Sequence, residues 1–215
     1  MADKRLLAVS RSAAAAWGRR AALMIGGAFI IAAGSVLMIK VSHWGLHPYD
    51  VLEYALTDRF GLSFGIWHWI VGLTMVLLSL VLTGRLPRFG VFLEFFLVGG
   101  FIDVLLERGI VPDVQQTAAE LMYLLAGIAL VSLGTALYMS ADMGAGPTDW
   151  FSLVISEKWG LSFGLLSIAT EALAVVGGLL LHGPVQLGTL LFCLVYGPIT
   201  GFLLKKLAWL RVSGE

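Results

Sequence analysis

Polar material is scarce in this chain. Only 13% of its 215 residues are charged against 59% hydrophobic, and the mean hydropathy of +0.91 excludes an ordinary soluble domain. There is one cysteine, Cys193, so no disulfide framework or cysteine metal site can be assembled; within its apolar run it is expected to be a small buried hydrophobe. Fourteen acidic residues balance fourteen basic ones, for a formal net charge of +0, which removes the general electrostatic basis for a nucleic-acid partner. GxxxxGK[ST] is absent, so ATP-driven transport by this chain alone is not expected. Without a His/Cys cluster at metal-ligand spacing or a nucleophile elbow, neither metal, cofactor nor catalytic residue is assigned, and the chain is not expected to be an enzyme.

Long apolar runs are abundant. A helix needs about 20 mostly apolar residues to span a hydrocarbon core of about 30 Å, and six stretches qualify, near 21–42, 62–83, 89–110, 118–140, 161–182 and 187–207. The first is too long for a signal-peptide core and is expected to remain in the mature protein. With the N-terminus in the cytoplasm, eleven lysines and arginines fall inside and only Lys40, Arg59 and Arg108 outside, so both termini are expected inside. Residues 1–20 are basic and partly apolar, as in an interfacial helix on an anionic leaflet.

Two segments repeat. Aligned without a gap, "GLHPYDVLEYALTDRFGLSFG" (45–65) and "GAGPTDWFSLVISEKWGLSFG" (144–164) are identical at eight of 21 positions. With one-residue gaps the match extends back through "GSVLMI" and "GTALYM" and forward through "FGVFLEFFLVGG" and "LGTLLFCLVYGP". The chain therefore reads as two three-helix units, 21–110 and 118–207, joined by a linker at 111–117 and followed by a tail at 208–215. Three is odd, so the second unit starts on the opposite side of the membrane. The expected fold is an all-α polytopic membrane protein with six transmembrane helices in a 3+3 inverted-topology repeat.

Each hexapeptide that opens the repeat breaks a helix and starts another. Gly45 and Gly144 stop the preceding span, while Pro48 and Pro147 suit the first position of a new helix. Asp50 and Asp149 then fall at its third position, near the positive end of the helix dipole. The new helix should end at Phe60 or Trp159, about 20 Å long and too short to span. Its polar residues, Asp50, Glu53 and Thr57 in one copy and Asp149, Ser152 and Ser156 in the other, share one face. Two readings stand: an interfacial amphipathic helix capped by its aspartate, or a half-helix dipping into the bilayer with its polar stripe toward a central cavity.

Ionisable residues inside the spans are the other candidates, because a charge at the bilayer centre costs at least about 2.5–3.5 kcal/mol. Glu171 lies about ten residues into the fifth span and suits proton coupling, or a hydrogen bond to a neighbouring helix. Glu94 and Asp103 lie in the third span, where the other copy has Phe192 and Gly201; Asp103 is close enough to the end to reach water. His68, between Trp67 and Trp69, could pair with an acid, relay protons or anchor at the interface.

"GLHPYDVL", the downstream "GLSFG" and the partner "GAGPTDWF" resemble the YczE-like branch of the YczE/YyaS/YitT group of bacterial integral membrane proteins, from about residue 21 onward. The resemblance implies a multi-pass protein of the inner membrane and carries over no functional residues. Where that pattern commonly has tryptophan after the proline, this sequence has Tyr49 and Thr148.

Two functions fit. One is a small secondary transporter of a cationic or zwitterionic solute, or of a coupling cation, by alternating access around Asp50, Asp149, Glu53, Ser152 and Glu171, with Glu94 and His68 nearby. The other is a non-transporting membrane scaffold that modulates a neighbouring protein. A homodimer is compatible with both.

Overall fold

The computed structural model describes the backbone of residues 2–210 and the side chains of residues 16–210. The side chains of Lys4, Arg5 and Arg11, and the tail from Arg211, lie outside the described residues. The described fold is all helical: α1 (Ala2–Lys40), α2 (Pro48–Phe60), α3 (Phe64–Thr83), α4 (Phe89–Glu107), α5 (Thr117–Ser140), α6 (Pro147–Trp159), α7 (Phe163–Leu180) and α8 (Leu187–Lys206), with short 3-10 turns at Ser42–Trp44 and Ala208–Leu210. Six of these are long and apolar enough to cross a membrane; α2 and α6, at 13 residues each, are not among them.

The helix boundaries follow local chemistry. Pro48 and Pro147 sit in the first turns of α2 and α6, where a missing N–H leaves no helical hydrogen bond unmade. Gly61 and Gly160, with φ of 72° and 67°, end them. Two expected boundaries differ. Helix α4 stops at Glu107, because Gly109 turns the chain with φ 59°. Helix α1 runs unbroken from Ala2, ahead of the expected start at 21, and its spanning-length apolar stretch is Ala16–Lys40.

Helices α1 and α5 form the centre. A Cβ on Gly27 would lie 2.7 Å from the Gly134 carbonyl oxygen, and one on Gly34 would lie 2.8 Å from that of Gly127. Glycine at all four positions lets the backbones touch, as close packing between apolar helices requires. The register, 27 against 134 and 34 against 127, makes the two helices antiparallel. Interchanging the two units maps one glycine pair onto the other.

The surrounding contacts obey the same exchange. Helix α1 packs on α4 as α5 packs on α8, and α2 packs on α7 as α6 packs on α3. Each broken hexapeptide docks on the other unit: the Leu46 amide donates to Thr189 Oγ1 at 3.1 Å, and a Cβ on Gly144 would lie 3.2 Å from the Val91 amide nitrogen. The largest exception is a single helix pair. Helix α3 packs along α4, whereas α7 and α8 make no comparable contact.

Candidate functional site

Between the units lies a cavity of about 120 Å³, room for several waters or one small solute. Its wall is built from corresponding positions of both copies: Ile31 with Val131, Ser35 with Thr135, Tyr49 with Thr148, Asp50 with Asp149, Gly72 with Glu171 and Val98 with Tyr196. A cavity lined in this way sits where the units exchange.

Asp50 and Glu53 are buried on α2, so the polar stripe of this short helix faces the bundle interior and not an exposed surface. Their i, i+3 spacing puts both carboxyls on one face. Helix α3 presents His68, Val71 and Gly72 to the cavity, again at i, i+3, i+4. His68 Nδ1 lies 3.1 and 3.0 Å from the two Glu53 carboxyl oxygens. His68 thus pairs with an acid. In the second unit the positions of this pair are Ser152 and Ser167, and both hydroxyls are buried without a hydrogen-bond partner among the described residues. Ser152 is not part of the cavity wall.

Glu94 enters from α4, with one oxygen, Oε2, buried and unpartnered among the described residues; Asp50 Oδ2 and Tyr49 Oη share that condition. Native proteins rarely leave such atoms without water or ligand. A Cβ on Gly146, the residue that opens α6, would lie 3.7 Å from Glu94 Oε2, so the carboxylate faces the positive end of that helix. The Gly146 amide donates to Tyr138 Oη at 2.8 Å, which fixes the start of α6 on α5. Asp149 and Glu171 complete the acidic wall from α6 and α7, both half-buried.

Gly45 and Gly144 break the chain with φ of 114° and 142°, and Pro48 and Pro147 follow at the helix starts. Sequence reading missed His47, Tyr138 and Tyr196. His47 Nδ1 lies 3.7 Å from Asp50 Oδ1, and its ring stacks on Tyr49 and meets Phe192 edge-on. The Tyr196 hydroxyl donates to Thr135 Oγ1 at 3.2 Å. The aligned Ser35 and Thr135 in "GSVLMI" and "GTALYM" were the available signal for that wall.

Asp103, half-buried, accepts hydrogen bonds from Ser63 Oγ and from the Gly65 amide at 2.7 Å, tying the start of α3 to α4. Asp103→Ala should therefore destabilise the protein by about 1–3 kcal/mol, read as a lower thermal midpoint in detergent with the helical content retained. The expectation that Cys193 is buried is corrected: it is exposed on α8, because among the described residues α8 has no neighbour on that side and any apolar residue serves there.

Residues 18–205 match the family of unknown function DUF6198. The chain is 31% identical over 180 residues to the uncharacterized membrane protein YczE of Bacillus subtilis, covering 84% of this chain and 83% of that protein. It is 28% identical over 171 residues to an uncharacterized protein of Haemophilus influenzae, covering 80% and 77%. It is 27% identical over 168 residues to the uncharacterized protein YyaS of Bacillus subtilis, covering 77% and 82%. No solved structure matches. With six spanning-length apolar helices and these relatives, the chain is a multi-pass membrane protein and belongs to the family DUF6198.

Proposed function

We propose that the protein is a small secondary transporter that carries a small cationic or zwitterionic solute through the bacterial inner membrane, alternating access to its central acidic cavity. The observation that carries this reading is a cavity walled by corresponding residues of two repeated units, with buried carboxylate oxygens left unpartnered. Glycine- and proline-interrupted segments at corresponding positions of two halves are what a transporter site is built from. The antiparallel α1–α5 crossing supports units inverted in the membrane, with both termini cytoplasmic by the distribution of lysine and arginine.

Charge sets the solute class. Asp50, Glu53, Glu94, Asp149 and Glu171 put five carboxyls around the cavity against the imidazoles of His47 and His68. Buried charges of one sign need a compensating partner, and a cation with N–H donors supplies both the charge and the missing hydrogen bonds. Glu171, half-buried on α7, exchanges a proton as the cavity opens and serves as the coupling group in this reading. The reading involves no bond-breaking chemistry and no cofactor.

Uptake of radiolabelled small amines into proteoliposomes under an imposed proton gradient tests it. Wild type should accumulate one of them against its gradient, and Glu171→Gln should abolish that accumulation with the circular dichroism unchanged. Full uptake by Glu171→Gln rejects the coupling role; no gradient-driven accumulation by wild type rejects the transporter.

A further inference from the structure

The largest departure from exchange symmetry in the packing of the helices concerns access to the cavity. Along α3 and α4 the first unit is shut. A Cβ on Gly65 would collide with the Gly99 carbonyl, and one on Gly99 would lie 2.5 Å from Trp69 Nε1. Trp69 donates to the Phe96 carbonyl at 3.2 Å and packs edge-on against the Phe96 ring. Asp103 clasps Ser63 and Gly65.

The corresponding residues of the second unit are present and unused. Gly164 and Gly197 correspond to Gly65 and Gly99, yet among the described residues a Cβ on Gly197 would meet nothing within 4 Å and one on Gly164 only Ser162 Oγ at 3.9 Å. Ile168 and Leu194, in the places of Trp69 and Phe96, are 67% and 74% exposed. Gly201 stands where Asp103 would clasp, and a Cβ there also meets nothing within 4 Å. A mid-helix glycine costs about 1 kcal/mol against alanine, and this arrangement gives Gly197 no close approach in return. The next residue, Pro198, lies inside α8, where a proline removes a helical hydrogen bond and creates a point of bending. From α7 and α8 the cavity wall takes only Glu171 and Tyr196.

We infer that the gap between α7 and α8 is the gate of the cavity in the conformation described, and that it closes when α8 bends at Gly197–Pro198 and brings Gly197 onto Gly164, as the α3/α4 side opens. The inference rests on the alternating-access reading for its purpose. Its geometry can be tested without a substrate. Tight packing on one side and open glycines on the other are what two exchangeable states of one symmetric plan require: packed interfaces are bistable and do not deform continuously.

The test is disulfide trapping in a Cys193→Ser background. Ile168→Cys with Leu194→Cys is oxidised in reconstituted vesicles beside Trp69→Cys with Phe96→Cys, the equivalent pair on the shut side. The 168–194 pair should form a bond within one chain, showing that closure is visited. Adding Asp103→Ala, which loosens the shut side, should raise its yield severalfold and lower that of the 69–96 pair. Gly99→Leu, which wedges α3 from α4, should act in the same direction. Absence of an intrachain 168–194 bond, or a yield indifferent to both loosening variants, overturns the gate. A 168–194 bond found only between chains also overturns it and identifies this face as a contact between copies. Exchange between the two bonds in a protein that takes up no amine would leave the gate standing and remove the transport reading alone.

Discussion

Gly27→Leu should leave almost no monodisperse protein after detergent extraction, whereas Gly26→Leu, one residue away on the same helix, should be tolerated. A Cβ on Gly27 would lie 2.7 Å from both the Gly134 carbonyl oxygen and the Tyr138 amide nitrogen, atoms of the α5 backbone that cannot rotate aside. On Gly26 the same atom meets nothing within 4 Å. Overpacking a core that can shift costs about 1–3 kcal/mol; here only separation of α1 from α5 relieves the clash, so the cost should reach at least the top of that range. No hydrophobic effect re-forms the contact within a bilayer, since lipid tails replace helix surface without penalty. Gly26→Leu should shift stability by less than about 1 kcal/mol, and in the favourable direction where helix propensity dominates. Fluorescence-detected size exclusion of both variants checks this, and equal behaviour would mean that the central crossing lies elsewhere.

The second large effect is expected at the Glu53–His68 pair. His68→Leu strips the partner from a carboxyl that is 1% exposed, and breaking a buried ion pair from one side costs about 3–5 kcal/mol. Glu53→Met should cost a similar amount. The double variant should recover most of the loss, because replacing both members of a buried pair by apolar groups is often close to neutral. Stability would return without function: the cavity would have lost one carboxyl and one imidazole, and amine uptake should stay abolished. Thermal unfolding of the two singles and the double gives the coupling directly. Additive losses would mean that the two side chains do not interact in the folded protein.

Much of this architecture was legible because it rests on local chemistry. Apolar run lengths marked the six long helices, and Pro48, Pro147, Gly61 and Gly160 marked both ends of the short ones. The internal repeat pointed to Asp50 and Asp149 together, and the structure brings both to one cavity. Rotation about the helix axis was much less legible. Helices apolar on most sides carry little amphipathic signal, so nothing in "FGIWHWI" revealed that His68 turns inward to Glu53 while the neighbouring Trp69 seals α3 on α4. The clasp made by Asp103 was not legible because its partners, Ser63 and Gly65, lie about 40 residues earlier and close only across a helix pair. Cys193 was misread for a related reason: in a membrane protein an apolar residue can be exposed or buried without changing its chemistry. His47 was hidden in plain sight within the repeat, since its counterpart is Gly146 and the shared residues drew attention away from those that differ. The gate is still further from sequence, because both units contain the glycines and only the packing distinguishes used from unused.

The central claim is that one acidic cavity, built jointly by the two units, binds a small cation. Thermal unfolding of the purified protein against a panel of small amines, amino acids and inorganic cations, run beside Asp50→Asn and Asp149→Asn, tests it most directly. A ligand bound only to the folded state stabilises it by mass action, by about 2.7 kcal/mol at a hundredfold excess over Kd, and so raises the midpoint. A concentration-dependent rise is expected with at least one amine, lost in both variants although the two aspartates come from different units. A rise that survives in either variant, or no rise with any cation while both variants are merely less stable, would contradict it and leave the aspartates as helix caps.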